Sequence, residues 1–453
     1  MTMDSELALW WRQHPGDRPH GGRWAEIGED SFREDERRIT GLNRLPGQVP
    51  DWAEDLFRVA RAAFIADKYT RREGARDRWT RSIRLCVPVT AYERWQSTDG
   101  ELAALLQILT ADLWDIEFRP LAAHHVQEAI PHFGAERAGE VAVFSGGLDS
   151  LSWAAVRACD EASQPMLLVM FGEGGSLLSL QQRVYESVER LCGARRLMLL
   201  QMSQTAHGDG SGRRLERSSR TRGLLYAAGA IRAATAHGVD TVHVPENGQL
   251  ALNPPLTPAR SAALSTRSVH PWTLARLNSL IGTVAGDQGA VRVVNPWAWM
   301  TKGEVCKAGS DAGLARADLE ATLSCGKSPT KWCGGPPNCG ICFPCLVRRS
   351  GLLTAYGTDS TVYQGKPWST SISEARGENW RALQRWLLSP YSLTDVLTDV
   401  PLPQGTDPGA AFELIRRGRG ELARLMDIAD GDVAEAALRA RAWLAVARRD
   451  LDR

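Results

Sequence analysis

Between residues 139 and 294, short apolar runs and helix-like stretches alternate, and this rhythm restricts the chain to very few folds. The runs 141–144, 166–171, 196–201, 241–244 and 291–294 are strand-like. Stretches with helical periodicity separate them, at 151–159, 177–191, 221–235 and 272–284. Strand alternating with helix implies βαβ units, which wind a parallel sheet and cover both of its faces. Ligands of such sheets bind beyond the carboxyl ends of the strands. The expected class is α/β, a parallel sheet with helices on both faces.

The first run ends in a glycine elbow, VAVFSGGLDSLSWAA, from Val141 to Ala155. A helix N-terminus leaves backbone N–H groups unpaired and carries partial positive charge, which favours an anion. Gly146 and Gly147 let the backbone approach that anion without a Cβ in the way, and Ser145 and Ser150 offer hydroxyls. The elbow is read as a phosphate holder. It differs from a Walker A loop, which is longer and ends in Lys-Ser or Lys-Thr.

The flanks read differently. Residues 1–50, rich in Gly, Pro and charge, are expected to be an irregular, partly packed lead-in. A helix at 51–69, a strand at 83–89, a helix at 101–109 and a strand at 115–118 make an α/β accessory region. Beyond residue 357 the pattern is helical, at 379–388, 409–416, 422–428 and 432–449. The expected division is an accessory region 1–138, a central domain 139–357 and a helical C-terminal region 358–453.

Net charge is +1, from 54 Lys and Arg against 53 Asp and Glu. A general nucleic-acid surface would show a basic excess, so nucleic acid is not an expected partner. No apolar run approaches the roughly eighteen residues of a membrane span, and MTMDSELALWWRQHPGD lacks the pattern of a signal peptide. The expected location is the cytoplasm, where thiols stay reduced, so the nine cysteines need a use other than disulfides. Five fall in TLSCGKSPTKWCGGPPNCGICFPCLVRRSGL, residues 322–352. Cys339, Cys342 and Cys345 form C-x2-C-x2-C, and four thiolates at such spacing make a tetrahedral zinc site. Spacing leaves the fourth ligand open between Cys325 and Cys333, and leaves an Fe–S cluster as a competitor.

SGGLDS resembles the SGGxDS signature of the PP-loop ATP pyrophosphatases. That resemblance implies an adenine-nucleotide α-hydrolase-like fold that uses ATP with Mg2+ and adenylates a substrate oxygen. It implies a nucleotide site at Ser145, Gly146, Gly147, Leu148, Asp149 and Ser150. Within that group, the cysteine window resembles the zinc motif of the QueC family, the 7-cyano-7-deazaguanine synthases, with Thr322-Leu323-Ser324-Cys325 matching its first part. The resemblance makes Cys325, Cys339, Cys342 and Cys345 the ligands of a structural Zn2+, with Cys333 an extra thiol.

The family converts 7-carboxy-7-deazaguanine to the nitrile with ATP and ammonia. By resemblance, Arg222, in SSRTRGLLYAAGAI, is a cation for the nucleotide, although Gly223 stands where the family carries Asn. Arg220 is a second candidate, and a surface arginine is the alternative. Glu246 and Asn247, in VPENGQLALNPP, are candidates to read a deazaguanine edge; an Asn-Gly turn with a solvated Glu is the alternative. Lys302, in NPWAWMTKGEV, aligns with a family lysine and would meet a phosphate or carboxylate, unless it is simply solvated. Asp149, Arg222 and Lys302 are the candidate catalytic groups.

The long flanks resemble the extended QueC-like branch of antiphage operons, among them the QatC and CBASS QueC-like proteins. This implies a protein amine from the same operon as acceptor. Two other readings stay open: a PP-loop tRNA thiolase, which predicts an Fe–S cluster or reactive thiols, and a non-catalytic ATP-binding component.

Overall fold

A computed structural model describes residues 6–14, 16–19, 21–32, 45–122, 136–160, 164–172, 175–208, 214–256, 267–326, 335–369 and 377–427. Two parallel sheets organise them. The first contains β1 (Glu6–Trp11), β2 (Ala25–Ile27), β3 (Ser82–Val89) and β4 (Leu113–Pro120) in the order β2-β1-β3-β4. Helices α1 (Asp51–Tyr69), the single turn α2 (Tyr92–Trp95) and α3 (Asp99–Thr110) accompany it.

The expectation of an irregular, partly packed lead-in over 1–50 is corrected at β1 and β2, which are regular strands. β1 lies inside the sheet, with Leu9 opposite both Ala25 and Leu85. Leu7, Leu9 and Trp11 alternate onto the core face. Trp10 points to the other face, where Trp24 meets it edge-on at 5.8 Å and Arg119 lies 4.1 Å from its ring centre. A strand apolar on both faces loses the alternation by which a half-buried strand is recognised.

The second sheet carries β5 (Glu140–Val143), β6 (Met166–Gly172), β7 (Leu197–Ser203), β8 (Thr241–His243) and β9 (Arg292–Val294), ordered β7-β6-β5-β8-β9 and parallel throughout. Its helices are α4 (Leu148–Ala158), α5 (Gly175–Cys192), α6 (Arg222–His237), α7 (Gly248–Leu252), α8 (Pro271–Ala285), α9 (Lys302–Asp311), α10 (Arg316–Glu320) and α11 (Phe343–Tyr356). Leu167, Val169 and Phe171 of β6 join a core with α6 and α8. Met166, Leu168 and Met170 join the opposite core with α4, α5, α9 and α11. The two-sided covering expected from the strand–helix rhythm is what forms.

The first of these cores also contains α1 and the inner face of the first sheet, so α1 serves both layers. The C-terminal helices α12 (Glu378–Leu388), α13 (Leu393–Asp399) and α14 (Pro408–Asp427) build a separate core around Trp380, Leu383, Leu414 and Leu422. That core takes in Leu250 and Leu252 of α7 and Leu346 and Val347 of α11. The expected helices 409–416 and 422–428 are one continuous helix, and α13 is additional. The helix expected at 432–449 lies outside the described residues. No helix among the described residues is long and apolar enough to cross a membrane.

Candidate active site

Strand order reverses between β5 and β8: β5 leads outward to β6 and β7, and β8 continues to β9 on the other side. At such a switch point the loops diverge and leave a crevice. The elbow follows β5 and VPENG follows β8, so the two stretches singled out from sequence border one crevice.

In the elbow, Gly146 has φ +73°, and a Cβ there would lie 2.8 Å from Gln181 Cγ. Both facts require glycine. Gln181 Nε2 donates to the carbonyls of Ser145 at 3.1 Å and Phe171 at 2.9 Å, fixing the turn from behind. The Gly147 amide donates to Ser145 Oγ (3.2 Å), and Ser150 Oγ donates to the Gly147 carbonyl (3.0 Å). No side chain caps the N-terminus of α4, so its first turn keeps the character of an anion site.

Asp149, Glu246, Asn247 and Lys302 come together at the crevice floor. Lys302 Nζ lies 2.6 Å from Asp149 Oδ2. Asn247 Nδ2 donates to the same oxygen at 3.2 Å and to Glu246 Oε1 at 2.9 Å. Asp149 Oδ1 is buried and has no hydrogen-bond partner among the described residues. Burial raises the Glu246 carboxyl well above its usual range, the neighbouring Asp149 charge adds to this, and Lys302 opposes it. Asn247 also caps α7, accepting from the Leu250 amide at 3.2 Å. The alternatives of a solvated Glu246 beside an Asn-Gly turn and of a solvated Lys302 do not hold: Asn247 and Lys302 are buried and Glu246 is half-buried.

Lys302 starts α9, with Thr301 as N-cap and a reciprocal Thr301–Glu304 box closing the turn. Its amide donates to Gln249 Oε1 at 2.7 Å. Its stem passes so close to α11 that a Cβ on Gly351 would lie 2.5 Å from Lys302 Cγ. Residues that the sequence reading did not single out complete the floor. Asn295 ties β9 to the β8 loop, accepting from the Glu246 amide (3.1 Å) and donating to its carbonyl (2.7 Å). Trp297 Nε1 donates to the Asp149 carbonyl at 3.1 Å. Their signal was position: both lie just past the end of β9, the strand paired with β8.

Arg222 opens α6, which packs against β5 and β8. The side chain is exposed and stands 5.9 Å from the Tyr226 ring centre. Gly223 has a local reason, because a Cβ there would fall 2.0 Å from Ser268 Cβ. Arg220 faces the first sheet: its guanidinium lies 4.7 Å from the Trp79 ring centre, and its amide donates to Asp67 Oδ2 at 2.8 Å. Burial lowers its pKa to about 10.

Behind the elbow, the sulfurs of Cys325, Cys339, Cys342 and Cys345 lie within 4.8 Å of one another. Cys325–Cys342 is 3.9 Å and Cys339–Cys345 is 3.8 Å. A tetrahedral zinc with Zn–S bonds of about 2.3 Å needs S–S edges of about 3.8 Å. The set therefore fits one zinc ion, and is too tight to enclose a multi-iron cluster, whose thiolates hold separate irons. The Ile341 and Cys342 amides point at Cys339 Sγ from 3.5 and 3.4 Å. Thiol hydrogen bonds, first from Cys325, then from Cys342 and Cys345, hold Cys339 well below the usual thiol range. Cys333 lies outside the described residues. The knuckle touches the elbow directly: the Leu323 amide donates to the Gly146 carbonyl at 3.2 Å.

Fold and site together define a doubly wound α/β protein with an uncapped glycine elbow at its switch point and a four-cysteine knuckle tied to that elbow. Residues 272–356, from α8 through the knuckle to α11, match the family model described as Queuosine biosynthesis protein QueC. This segment of the chain is similar to the QueC family. The 7-cyano-7-deazaguanine synthase of Methanothermobacter thermautotrophicus is 38% identical over 84 residues, which is 18% of this chain and 32% of that protein. The 7-cyano-7-deazaguanine synthases of Cupriavidus taiwanensis and Cupriavidus necator are each 38% identical over 92 residues, 20% of this chain and 36% of theirs. The chain thus spans about a third of the length of these curated relatives.

Proposed function

We propose that this chain is an ATP-dependent enzyme that adenylates the carboxylate of 7-carboxy-7-deazaguanine, or of a close analogue, and passes the acyl group to a nitrogen nucleophile. The observation that carries this reading is the convergence of the uncapped elbow with Asp149, Lys302, Asn247 and Glu246 on one crevice.

The elbow amides and the Ser145 and Ser150 hydroxyls receive the phosphates of ATP, whose Mg2+ supplies countercharge during transfer. The carboxylate oxygen attacks the α-phosphorus, the bond to the bridging oxygen breaks, and pyrophosphate leaves. Lys302 stabilises charge that builds on the phosphate oxygens or orients the attacking carboxylate. Glu246 and Asn247 hydrogen-bond the heterocycle edge. Arg222, from α6, serves the outer end of the nucleotide. The zinc knuckle holds the Gly146 backbone and takes no chemical step. With ammonia, displacement of AMP gives the amide, and a second adenylation followed by loss of AMP gives the nitrile. The long flanking regions favour the second form of this reading, a protein amine as acceptor in an antiphage system.

The test is incubation with 7-carboxy-7-deazaguanine, ATP, Mg2+ and ammonia, with AMP and every deazaguanine species quantified by mass spectrometry. Acid-dependent AMP is expected, and Asp149→Asn and Lys302→Met should each reduce it by about a hundredfold or more. Amide or nitrile would identify ammonia as acceptor. AMP without either product would direct the search to operon-encoded proteins and a mass gain on one of them. AMP no higher than in a control lacking the acid would overturn the substrate reading.

A further inference from the structure

Glu421 belongs to α14, outside the residues that match the QueC family model, yet its carboxylate reaches the first turn of α9. Oε1 accepts from the Thr301 hydroxyl at 2.5 Å, and both oxygens accept from the Gly303 amide at 3.1 Å. These contacts bracket Lys302. The first amides of a helix have no partner within it, and an acid there satisfies them and matches the helix dipole. Glu421 is 6% exposed, so water cannot substitute for it. Lys302 is therefore held on three sides: Glu421 grips the turn, Gln249 takes its amide, and Gly351 gives its stem room.

We propose that Glu421 is a positioning residue for the crevice, holding the first turn of α9 so that the Lys302 ammonium meets Asp149. This rests on the reading of Lys302 as a group that serves the nucleotide. The charged or titratable groups around Glu421 are Lys302, Glu304 and Cys306 of α9 and Arg417 and Arg424 of its own helix. Arg417 is engaged by Glu304 at 2.8 Å. From α7 and α11 the neighbours are the uncharged Gln249 and Thr354. Nothing else acidic among these neighbours reaches the Gly303 amide, so the role falls to Glu421 alone.

The test is limited reductive methylation of the full-length protein with formaldehyde and cyanoborohydride, read by peptide mass spectrometry at three lysines. Lys307 is exposed on α9 and serves as reference. Lys68 bonds Ser218 and Ser219 at the junction with the first sheet and reports general loosening. In the wild type, Lys302 should react at least about tenfold more slowly than Lys307, because its pairing must open first. Glu421→Ala should remove most of that protection and leave Lys68 unchanged. Glu421→Gln keeps a carbonyl acceptor and should restore it. Wild-type protection in a cooperatively melting Glu421→Ala protein would overturn the proposal. So would equal acceleration of Lys68 and Lys302 in both variants. The labelling needs no turnover, so a failure of the substrate reading leaves its result intact.

Discussion

Two carboxyls, Asp149 and Glu246, share one ammonium, and their surroundings divide the work between them. Asp149 takes the ion pair with Lys302 and keeps one oxygen open. Glu246 is raised well above its usual range by burial and then by the Asp149 charge, with Lys302 opposing, and its Oε1 accepts from Asn247 Nδ2. Glu421 is a different case. Burial raises its pKa from 4.5 to about 7, with Thr301 and Gly303 pulling the other way. A carboxyl raised on folding contributes stability below its unfolded pKa, and that contribution is lost as pH climbs through the folded value. Glu421→Gln cannot ionise, so it should gain on the wild type between pH 5 and pH 9 by up to about 3 kcal/mol. Urea unfolding at the two pH values measures this; an unchanged difference would mean that the carboxyl titrates normally.

At the scale of elements, the knuckle is tied to the elbow by the hydrogen bond from the Leu323 amide to the Gly146 carbonyl. Replacing Cys342 by Ser, or stripping the metal with a strong chelator, should lower the melting temperature, since a metal bound only by the folded state adds its binding energy to folding. ATP affinity should fall with it, as calorimetry would show; affinity unaffected by metal loss would mean that the elbow stands without its neighbour. The strands of the central sheet were legible because each is a short apolar run between turn residues, and SGGLDS and the cysteine window are local in sequence. β1 was hidden, since Trp10 makes its second face apolar too. α14 looked broken because Gly418 and Gly420 interrupt its periodicity. The burial of Lys302 was not legible at all: it depends on Gly351 and Glu421, distant in sequence and carrying no motif.

Across the whole molecule, the first sheet is joined to the central one by buried charge as well as by α1. Asp67, near the end of α1, accepts from the Arg220 and Thr221 amides at 2.8 and 3.1 Å, at the start of α6. It also pairs with buried Arg81 at 2.7 Å, and Arg81 and Arg72 share Asp112. Removing one member of such a network strands the others without water. Asp67→Ala should therefore cost about 3–5 kcal/mol, measured by denaturant unfolding, with faster hydrogen exchange in the first turns of α6. Exchange confined to the first sheet would show that the two layers are independent.

The grip of Glu421 on Thr301 spans 120 positions of the chain. During synthesis the elbow, the knuckle and Lys302 all leave the ribosome before α14 does. On the proposal above, the first turn of α9 gains its grip from Glu421 only after α14 has been made, so a chain stopped before α14 would hold Lys302 by Gln249 and Gly351 alone.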